Sequence, residues 1–131
     1  MYDLSRTKKP KILVVGDVML DTYFSGSTNR VSPEAPVPIL NLKKVVSLPG
    51  GAANVANNIK TLGADVLLMG IIGKDEGGRR LKDLLVKRKV KFKLWEVDEY
   101  STTEKARYLS QNQHEGLVQR KTCLSCLSQI E

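Results

Sequence analysis

The sequence is poor in the residues that build disulfide scaffolds, metal sites and membrane spans. Its 131 residues include two cysteines and one histidine. Two cysteines are too few for a disulfide framework. No apolar run approaches the roughly 20 residues of a membrane-spanning helix, and the polar residues 1–11 lack the apolar centre of a signal peptide. We therefore expect a cytoplasmic globular protein with no membrane partner.

The two cysteines form a Cys-x-x-Cys pair, Cys123 and Cys126. A zinc site needs about four ligands, and His114 is the only further nitrogen donor of that kind. A redox-active pair should open a helix after a strand, and that context is missing. We interpret residues 115–131 as a divergent, poorly ordered tail with incidental cysteines, and residues 1–10 as a disordered lead.

A Gly-Gly pair followed by an alanine-rich run, PGGAANVA at residues 49–56, is the centre of the sequence. The apolar spacing predicts an amphipathic helix that ends at Gly63. Glycines at a helix start let a ligand approach the free N–H groups of the first turn. Gly50, Gly51 and Asn54, whose amide can donate and accept, are thus candidate residues for binding a polyhydroxylated ligand. The alternative is a tight turn into a packed helix, with Asn54 capping locally.

Strands and helices alternate along most of the chain, which predicts an α/β sheet. The apolar run KILVVG indicates a buried parallel strand, and Asp75 is a good N-cap for a helix that runs to about residue 89. The predicted strands are residues 11–16, 65–73, 92–97 and 105–110. Asp21, just past the first strand, is a candidate ligand-facing acceptor because open α/β sheets bind ligands at that edge. We interpret Asp17 as a residue that caps a turn.

Residues 23–48 have a different character, with three prolines and β-prone stretches on both sides of them. Prolines belong at sheet edges and turns, so we predict one strand out, a loop at SPEAP and one strand back. Such an insertion before the Gly-Gly turn could cover a ligand as a lid. The alternative is a surface loop without a role in binding.

The net charge of +7 comes partly from a basic block at residues 79–93. A basic helix can bind nucleic acid, but aromatic residues for base stacking are limited to Phe92 and Trp95. We interpret the block as a solvated helix face and expect no nucleic-acid partner.

Four stretches carry a resemblance to a known family: VVGDVMLDTY, RVSPEAPVPIL, PGGAANVANNI and TTEKARYLSQNQH. Together with Gly73, Asp75 and Gly78 they resemble the N-terminal part of the PfkB (ribokinase) family of carbohydrate kinases. Within that family the chain is most similar to D-glycero-β-D-manno-heptose 7-phosphate kinases, over about residues 11–114. The second stretch is very specific, because generic sugar kinases lack it.

The resemblance implies the N-terminal part of a Rossmann-like, three-layer α/β fold with a small β lid that can mediate homodimers. It implies ATP and Mg²⁺ as cofactors and a sugar phosphate as substrate, on the route to ADP-heptose and the lipopolysaccharide core. Asp21 would bind sugar hydroxyls, Gly50, Gly51 and Asn54 would line the sugar site, and Lys105 and Arg107 would face the sugar phosphate. The last two could instead be outward residues of an edge strand.

The family's second signature, a DTxGAGD-like segment with the catalytic base and anion hole, is absent from the 131 residues. Phosphoryl transfer depends on positioning and charge stabilisation, which that segment supplies. We therefore expect a truncated, inactive kinase fragment for which ATP binding is doubtful. The alternative is a non-catalytic sugar-binding or dimerisation module.

Overall fold

The computed structural model describes residues 9–34, 36, 38–110 and, for the backbone alone, 113–121. The elements are β1 (Lys11–Val15), β2 (Val18–Val31), β3 (Pro38–Gly51), α1 (Ala52–Thr61), β4 (Asp65–Gly73), α2 (Glu76–Lys87), β5 (Lys91–Val97), β6 (Thr103–Ser110) and β7 (Gln113–Lys121). Within these residues no helix is both long enough and apolar enough to cross a membrane.

The strands form two sheets in the described part of the chain. The first sheet is parallel, in the order β1-β4-β5. The second has the order β3-β2-β6-β7, in which β2 and β6 run parallel and the outer pairs are antiparallel. The β2–β3 hairpin lies between β1 and α1 in the sequence. It is therefore an insertion into the strand–helix–strand unit β1-α1-β4. It therefore stands at the carboxyl edge of the parallel sheet, where α/β proteins bind ligands.

The core lies between one face of the parallel sheet and both helices. Leu68 and Ile72 of β4 pack in one cluster with Ala53 and Ala56 of α1 and with the leucines of α2. The β2 residues Val18 and Leu20 join this cluster, so the second sheet is anchored in the same core. The predicted apolar face of α2 is confirmed, since Leu81 and Leu85 are fully buried.

The predicted α/β alternation is confirmed, but the first strand is not buried as expected. Leu13 and Val15 of β1 are 56% and 68% exposed, and Ile71 and Trp95 on the same face of the sheet are also exposed. The run KILVVG is typical of strands covered on both faces. In the described residues both helices cover the same face, so alternate side chains of β1 remain open to solvent.

The predicted hairpin exists, but it is longer than residues 23–48. It extends from Val18 to Gly51, so Asp21 lies inside strand β2 rather than between the first strand and the hairpin. Residues 105–110 also form a strand as predicted. That strand, β6, pairs with β2 in the second sheet and not with the parallel sheet.

The backbone of residues 113–121 forms β7 against β6. This strand begins before and ends after residue 115, where the sequence predicted a poorly ordered tail to start. The Cys123–Cys126 pair and the first eight residues of the predicted lead lie outside the described residues.

Candidate functional site

The root of the hairpin, where β2 begins and β3 ends, packs the Gly-Gly pair against Asp17. Gly51 has a φ of 56°, in the left-handed region that favours glycine. A Cβ at this position would collide with the backbone carbonyl oxygen of Asp17. The same oxygen accepts a hydrogen bond from the N–H of Ala52 at 2.9 Å. The packing of the root therefore requires glycine at position 51, and one of the helix's first N–H groups is already satisfied.

Gly50 makes room for the carboxylate of Asp21. The two residues lie on paired strands, and a Cβ on Gly50 would come within 2.7 Å of Oδ2 of Asp21 and of Cγ of Met19. Because glycine has no Cβ, the Asp21 carboxylate can lie directly over the β3 backbone. Two of the residues singled out from sequence are thus in contact.

Arg107 of β6 joins the same group. Its Nη1 atom lies 3.2 Å from Oδ1 of Asp21 and donates to the hydroxyl of Tyr23 at 2.6 Å. The Tyr23 ring lies beneath the guanidinium, with 4.9 Å between the Arg107 Cζ atom and the ring centroid. The charged pair is only partly exposed, with 25% of the Arg107 side chain and 18% of the Asp21 side chain open to solvent. This partial burial strengthens the attraction relative to a surface pair.

Lys105 and Asn54 complete the set predicted from sequence. Lys105 is the direct partner of Asp21 in the β2–β6 ladder, so both residues belong to the same face of the second sheet. The described residues contain no ion pair that engages Lys105. Asn54 is exposed in the first turn of α1, and no contact between it and Asp21 is found in the described part of the chain. The structure therefore brings together Asp21, Gly50 and Arg107, with Lys105 on the adjacent strand, and the role of Asn54 stays a prediction.

The opposite face of the second sheet holds a polar cluster that ties this sheet to α2. The buried hydroxyl of Thr22 donates to the Glu104 carboxylate at 2.6 Å. Arg80 of α2 donates to the Ser47 hydroxyl and lies 3.8 Å from Glu104. The cluster therefore fixes the sheet that carries Asp21 and Arg107 relative to the helical layer.

Asp75 makes a second link between the layers. As predicted, it is the N-cap of α2 and accepts a hydrogen bond from the Gly78 N–H at 2.8 Å. It also accepts one from the Thr102 N–H at 2.8 Å, directly before β6 begins. Burial by itself would raise the pKa of the Asp75 carboxyl, but hydrogen bonds from Gly78, Thr102 and Ser101 outweigh it and hold that pKa below its usual value.

The candidate site lies on one face of the second sheet. Two concavities of about 370 and 220 Å³ lie elsewhere, one beside Lys11 and Lys91 and the other beside Arg80 and Lys87. Neither is lined by a residue predicted from sequence to bind ligand. The described residues also contain no group of three or more His, Cys, Asp or Glu side chains that could hold a metal ion. Kinases hold Mg²⁺ mostly through substrate phosphates with one or two carboxylates, so the Mg²⁺ that the resemblance implies stays a prediction.

Tyr23 is the site residue that sequence reasoning missed. The sequence pattern predicts it as the first residue of the hairpin, whereas β2 already begins at Val18. In a strand, residues two apart share a face, so Asp21 and Tyr23 belong together once both are placed in β2. The signal that could have found it is the β-prone content of VMLDTYF, in which β-branched and aromatic residues lie on both sides of Asp21.

Comparison with curated proteins finds relatives that are much longer than this chain. The "Bifunctional protein HldE" of Coxiella burnetii is 45% identical over 111 residues, which are 85% of this chain and 23% of that protein. The protein of the same name from Haemophilus influenzae is 49% identical over 106 residues, 81% of this chain and 22% of that protein. The chain therefore spans less than a quarter of the length of these relatives.

Solved structures share the fold at low identity. A putative ribokinase from Agrobacterium tumefaciens has a TM-score of 0.66 at 19% identity, covering 88% of this chain and 37% of that one. A fructokinase with bound ATP from Xylella fastidiosa has a TM-score of 0.64 at 21% identity, covering 88% of this chain and 34% of that one. The family profile described as "pfkB family carbohydrate kinase" matches residues 9–121. The chain belongs to the pfkB family of carbohydrate kinases.

Proposed function

We propose that this chain provides the sugar-phosphate-binding side of an ATP-dependent kinase for D-glycero-β-D-manno-heptose 7-phosphate, on the route to ADP-heptose and the lipopolysaccharide core. The observation that carries the proposal is the shared sheet face of Asp21, Lys105 and Arg107 beside Gly50. The identity of 45–49% to proteins named HldE supports the choice of sugar. The resemblance of the stretch RVSPEAPVPIL to heptose kinases favours the same choice.

The chemistry of these side chains suits a phosphorylated sugar. A carboxylate accepts hydrogen bonds from sugar hydroxyls, and a guanidinium can hold a phosphate with two parallel N–H donors. Lys105 adds a second positive charge at the same face. Gly50, Gly51 and Asn54 would form the neighbouring wall at the start of α1.

Phosphoryl transfer is not part of the role that we propose for these 131 residues alone. ATP is the cosubstrate that the family implies, and a relative in the fold comparison was solved with bound ATP. However, the sequence contains no DTxGAGD-like segment. The role that we propose for these residues is therefore the binding of the sugar phosphate.

The proposed partner is a sugar phosphate in the cytoplasm, with no nucleic-acid or membrane partner. Three cations of the basic block are paired with carboxylates: Arg79 with Glu76, Arg80 with Glu104 and Lys82 with Glu96. Such pairing reduces the positive charge that the block could offer to a phosphate backbone. This favours the interpretation of the block as a solvated helix face.

A titration followed by amide NMR tests the proposed function. Heptose 7-phosphate should shift the amides of Gly50, Gly51 and Asn54 before those of residues 79–93. The dissociation constant should be about 1 mM, because few hydrogen bonds of about 1 kcal/mol each contribute. Arg107→Gln should weaken binding about tenfold through loss of a charged hydrogen bond. Lys82→Gln, which removes a cation of α2 that is paired with Glu96, should leave binding unchanged. Shifts that begin in the basic block would contradict the proposal.

A second role, dimerisation through the hairpin, has an observation in its favour. Strand β3 is an outer strand of the second sheet, and it exposes Leu42 and Val45 by 55% and 51%. An outer strand with apolar side chains can pair with another chain. We expect a concentration-dependent dimer in sedimentation analysis, and Val45→Lys should shift it to monomer. A chain that stays monomeric at about 1 mM, or dimerises unchanged with Val45→Lys, would exclude this role.

A further inference from the structure

The face of the parallel sheet that lies opposite the two helices is apolar and exposed to solvent. Successive side chains of a strand point to opposite faces of a sheet, and both helices pack on the face of Leu68. On the other face, six large apolar side chains of β1, β4 and β5 are 39% to 68% exposed. They are Leu13, Val15, Leu67, Ile71, Trp95 and Val97. We call this surface the apolar face.

The residues of the apolar face form one continuous patch, because they are neighbours across the strands. Leu13 lies opposite Leu67 in the β1–β4 ladder, and Ile71 lies opposite Trp95 in the β4–β5 ladder. The Nζ atom of Lys93 lies 5.5 Å from the centroid of the Trp95 ring and adds a cation beside it. A continuous apolar patch at a protein surface marks an interaction site, whereas single exposed apolar residues do not.

The two ends of the apolar face differ in charge. Lys11 and Lys91 lie at the amino ends of β1 and β5, and both are exposed. Asp17 and Glu99 lie just after the carboxyl ends of the same two strands and are exposed as well. None of these four residues belongs to an ion pair between described residues. One end of the face therefore offers positive charge and the other end offers negative charge.

The charge of opposite sign at each end is already paired within the chain. At the amino end, Oδ1 of Asp65 lies 3.8 Å from Nζ of Lys60. At the carboxyl end, Nζ of Lys74 lies 2.8 Å from Oδ1 of Asp98. The difference in charge between the two ends is thus preserved. A surface that fits this face must be apolar at its centre, with negative charge over the amino end and positive charge over the carboxyl end.

We propose that the apolar face binds the apolar face of a second copy of this chain, with the strands of the two copies antiparallel. A twofold axis between the sheets and perpendicular to the strands places β1 over β1 and β5 over β5. Lys11 then lies near Asp17 of the second copy, and Lys91 lies near its Glu99. A twofold axis along the strands would bring like charges together. The antiparallel arrangement is self-complementary, as a twofold interface requires, and is compatible with face-to-face packing of sheets about 10 Å apart.

The size of the apolar face indicates a weak association. Three strands about 4.8 Å apart and about seven residues long, at about 3.3 Å per residue, cover roughly 300 Å². A stable interface buries about 800 Å² per partner, and smaller interfaces belong to transient complexes. We therefore expect a dissociation constant of about 0.1 mM. The apolar face is separate from the outer strand β3, so this weak association should remain after Val45→Lys has removed the hairpin contact.

Trp95 reports on this contact, because it is the only tryptophan of the chain and lies on the apolar face. Its emission is measured by front-face fluorescence between about 0.01 and 1 mM protein, in the unchanged chain and in Val45→Lys. We expect a shift to shorter wavelength with a midpoint near 0.1 mM in both, since the 46% exposed ring becomes buried. Sedimentation of Val45→Lys should show dimers over the same range. Emission that does not change with concentration overturns the inference and leaves the face to a different protein.

Ile71→Lys and Val55→Lys form a matched pair of variants. Ile71 lies on the apolar face and is 43% exposed, whereas Val55 lies on α1 and is 49% exposed. Ile71→Lys should weaken the association at least about tenfold, because the dimer would bury a lysine in an apolar interface. Val55→Lys should leave the association unchanged. An equal effect of the two substitutions overturns the inference.

Lys91→Glu tests the orientation of the two copies and does not depend on whether Ile71→Lys folds, because Lys91 is exposed. It places like charges together at both symmetric contacts with Glu99, so the association should weaken about tenfold. Glu99→Lys added to the same chain restores opposite charges at these contacts and should recover most of the association. A double variant that associates no better than Lys91→Glu alone overturns the antiparallel arrangement.

Discussion

Gly51→Ala is expected to lower the free energy of unfolding by about 4 kcal/mol. The substitution combines a φ of 56° with a Cβ that would collide with the Asp17 carbonyl oxygen. A left-handed conformation costs a residue with a Cβ about 1 kcal/mol. The collision is with backbone, which cannot rotate away, so an overpacking cost of about 3 kcal/mol follows. A total of about 4 kcal/mol is a large part of the stability of a small domain.

Gly63→Ala is the matched control. Gly63 also has a positive φ, of 94°, but a Cβ there would meet nothing within 4 Å. It should therefore show the conformational cost alone, about 1 kcal/mol. Urea unfolding followed by circular dichroism measures both variants. Equal destabilisation by the two substitutions would show that the backbone at Asp17 can shift to make room for a Cβ at position 51.

The parts of the fold that follow from local pattern were predictable. The helix α2 has an N-cap, Asp75, and leucines at helical spacing, and both features act within a few residues of one another. The helix α1 begins after a Gly-Gly pair and is followed by Gly63, whose positive φ ends it. These signals depend on neighbouring residues, so the sequence carries them completely.

Burial of the parallel sheet could not be predicted in the same way. A continuous apolar run such as KILVVG shows that a strand can be buried on both faces. Whether it is buried depends on how many helices lie on each side, and that is a property of the whole fold. In the described residues both helices pack on the face of Leu68, which leaves Leu13 and Val15 exposed.

Local pattern could not predict which residues meet at the site, because the contacts join distant parts of the sequence. Arg107 contacts Tyr23 and Asp21, which precede it by 84 and 86 residues. Local patterns cannot show that β6 pairs with β2, because a parallel pairing of this kind is fixed by the course of the chain between the strands. Resemblance to a family suggested that Asp21 and Arg107 both serve the ligand, but only the pairing of the strands reveals that they contact each other.

Asp75→Ala should remove about 3 kcal/mol of stability near neutral pH. The loss of an N-cap costs about 1 kcal/mol. The substitution also leaves the N–H of Thr102, a residue only 6% exposed, without its acceptor, at a cost of about 2 kcal/mol. Because Thr102 immediately precedes β6, the strand that carries Arg107 should be loosened as well. Asp83→Ala, an exposed carboxylate on the same helix, should change stability by less than about 0.5 kcal/mol.

The contribution of the Asp75 carboxylate to the free energy of unfolding should also decrease as the pH falls. Hydrogen bonds to the carboxylate lower its pKa in the folded chain relative to the unfolded value of about 3.9. The unfolded state therefore binds the proton more readily, so the stabilisation is complete above about pH 5 and is lost as the pH falls through the folded pKa. Urea midpoints of the unchanged chain and Asp75→Ala should thus differ by a constant amount from about pH 7 to pH 5 and converge below about pH 4. Asp75→Asn keeps an acceptor for the Gly78 N–H but carries no titrating group, so its own midpoint should fall less steeply toward acid. A difference between the unchanged chain and Asp75→Ala that grows toward acid would mean that the carboxyl is held in its protonated form, contrary to the hydrogen bonds that it accepts.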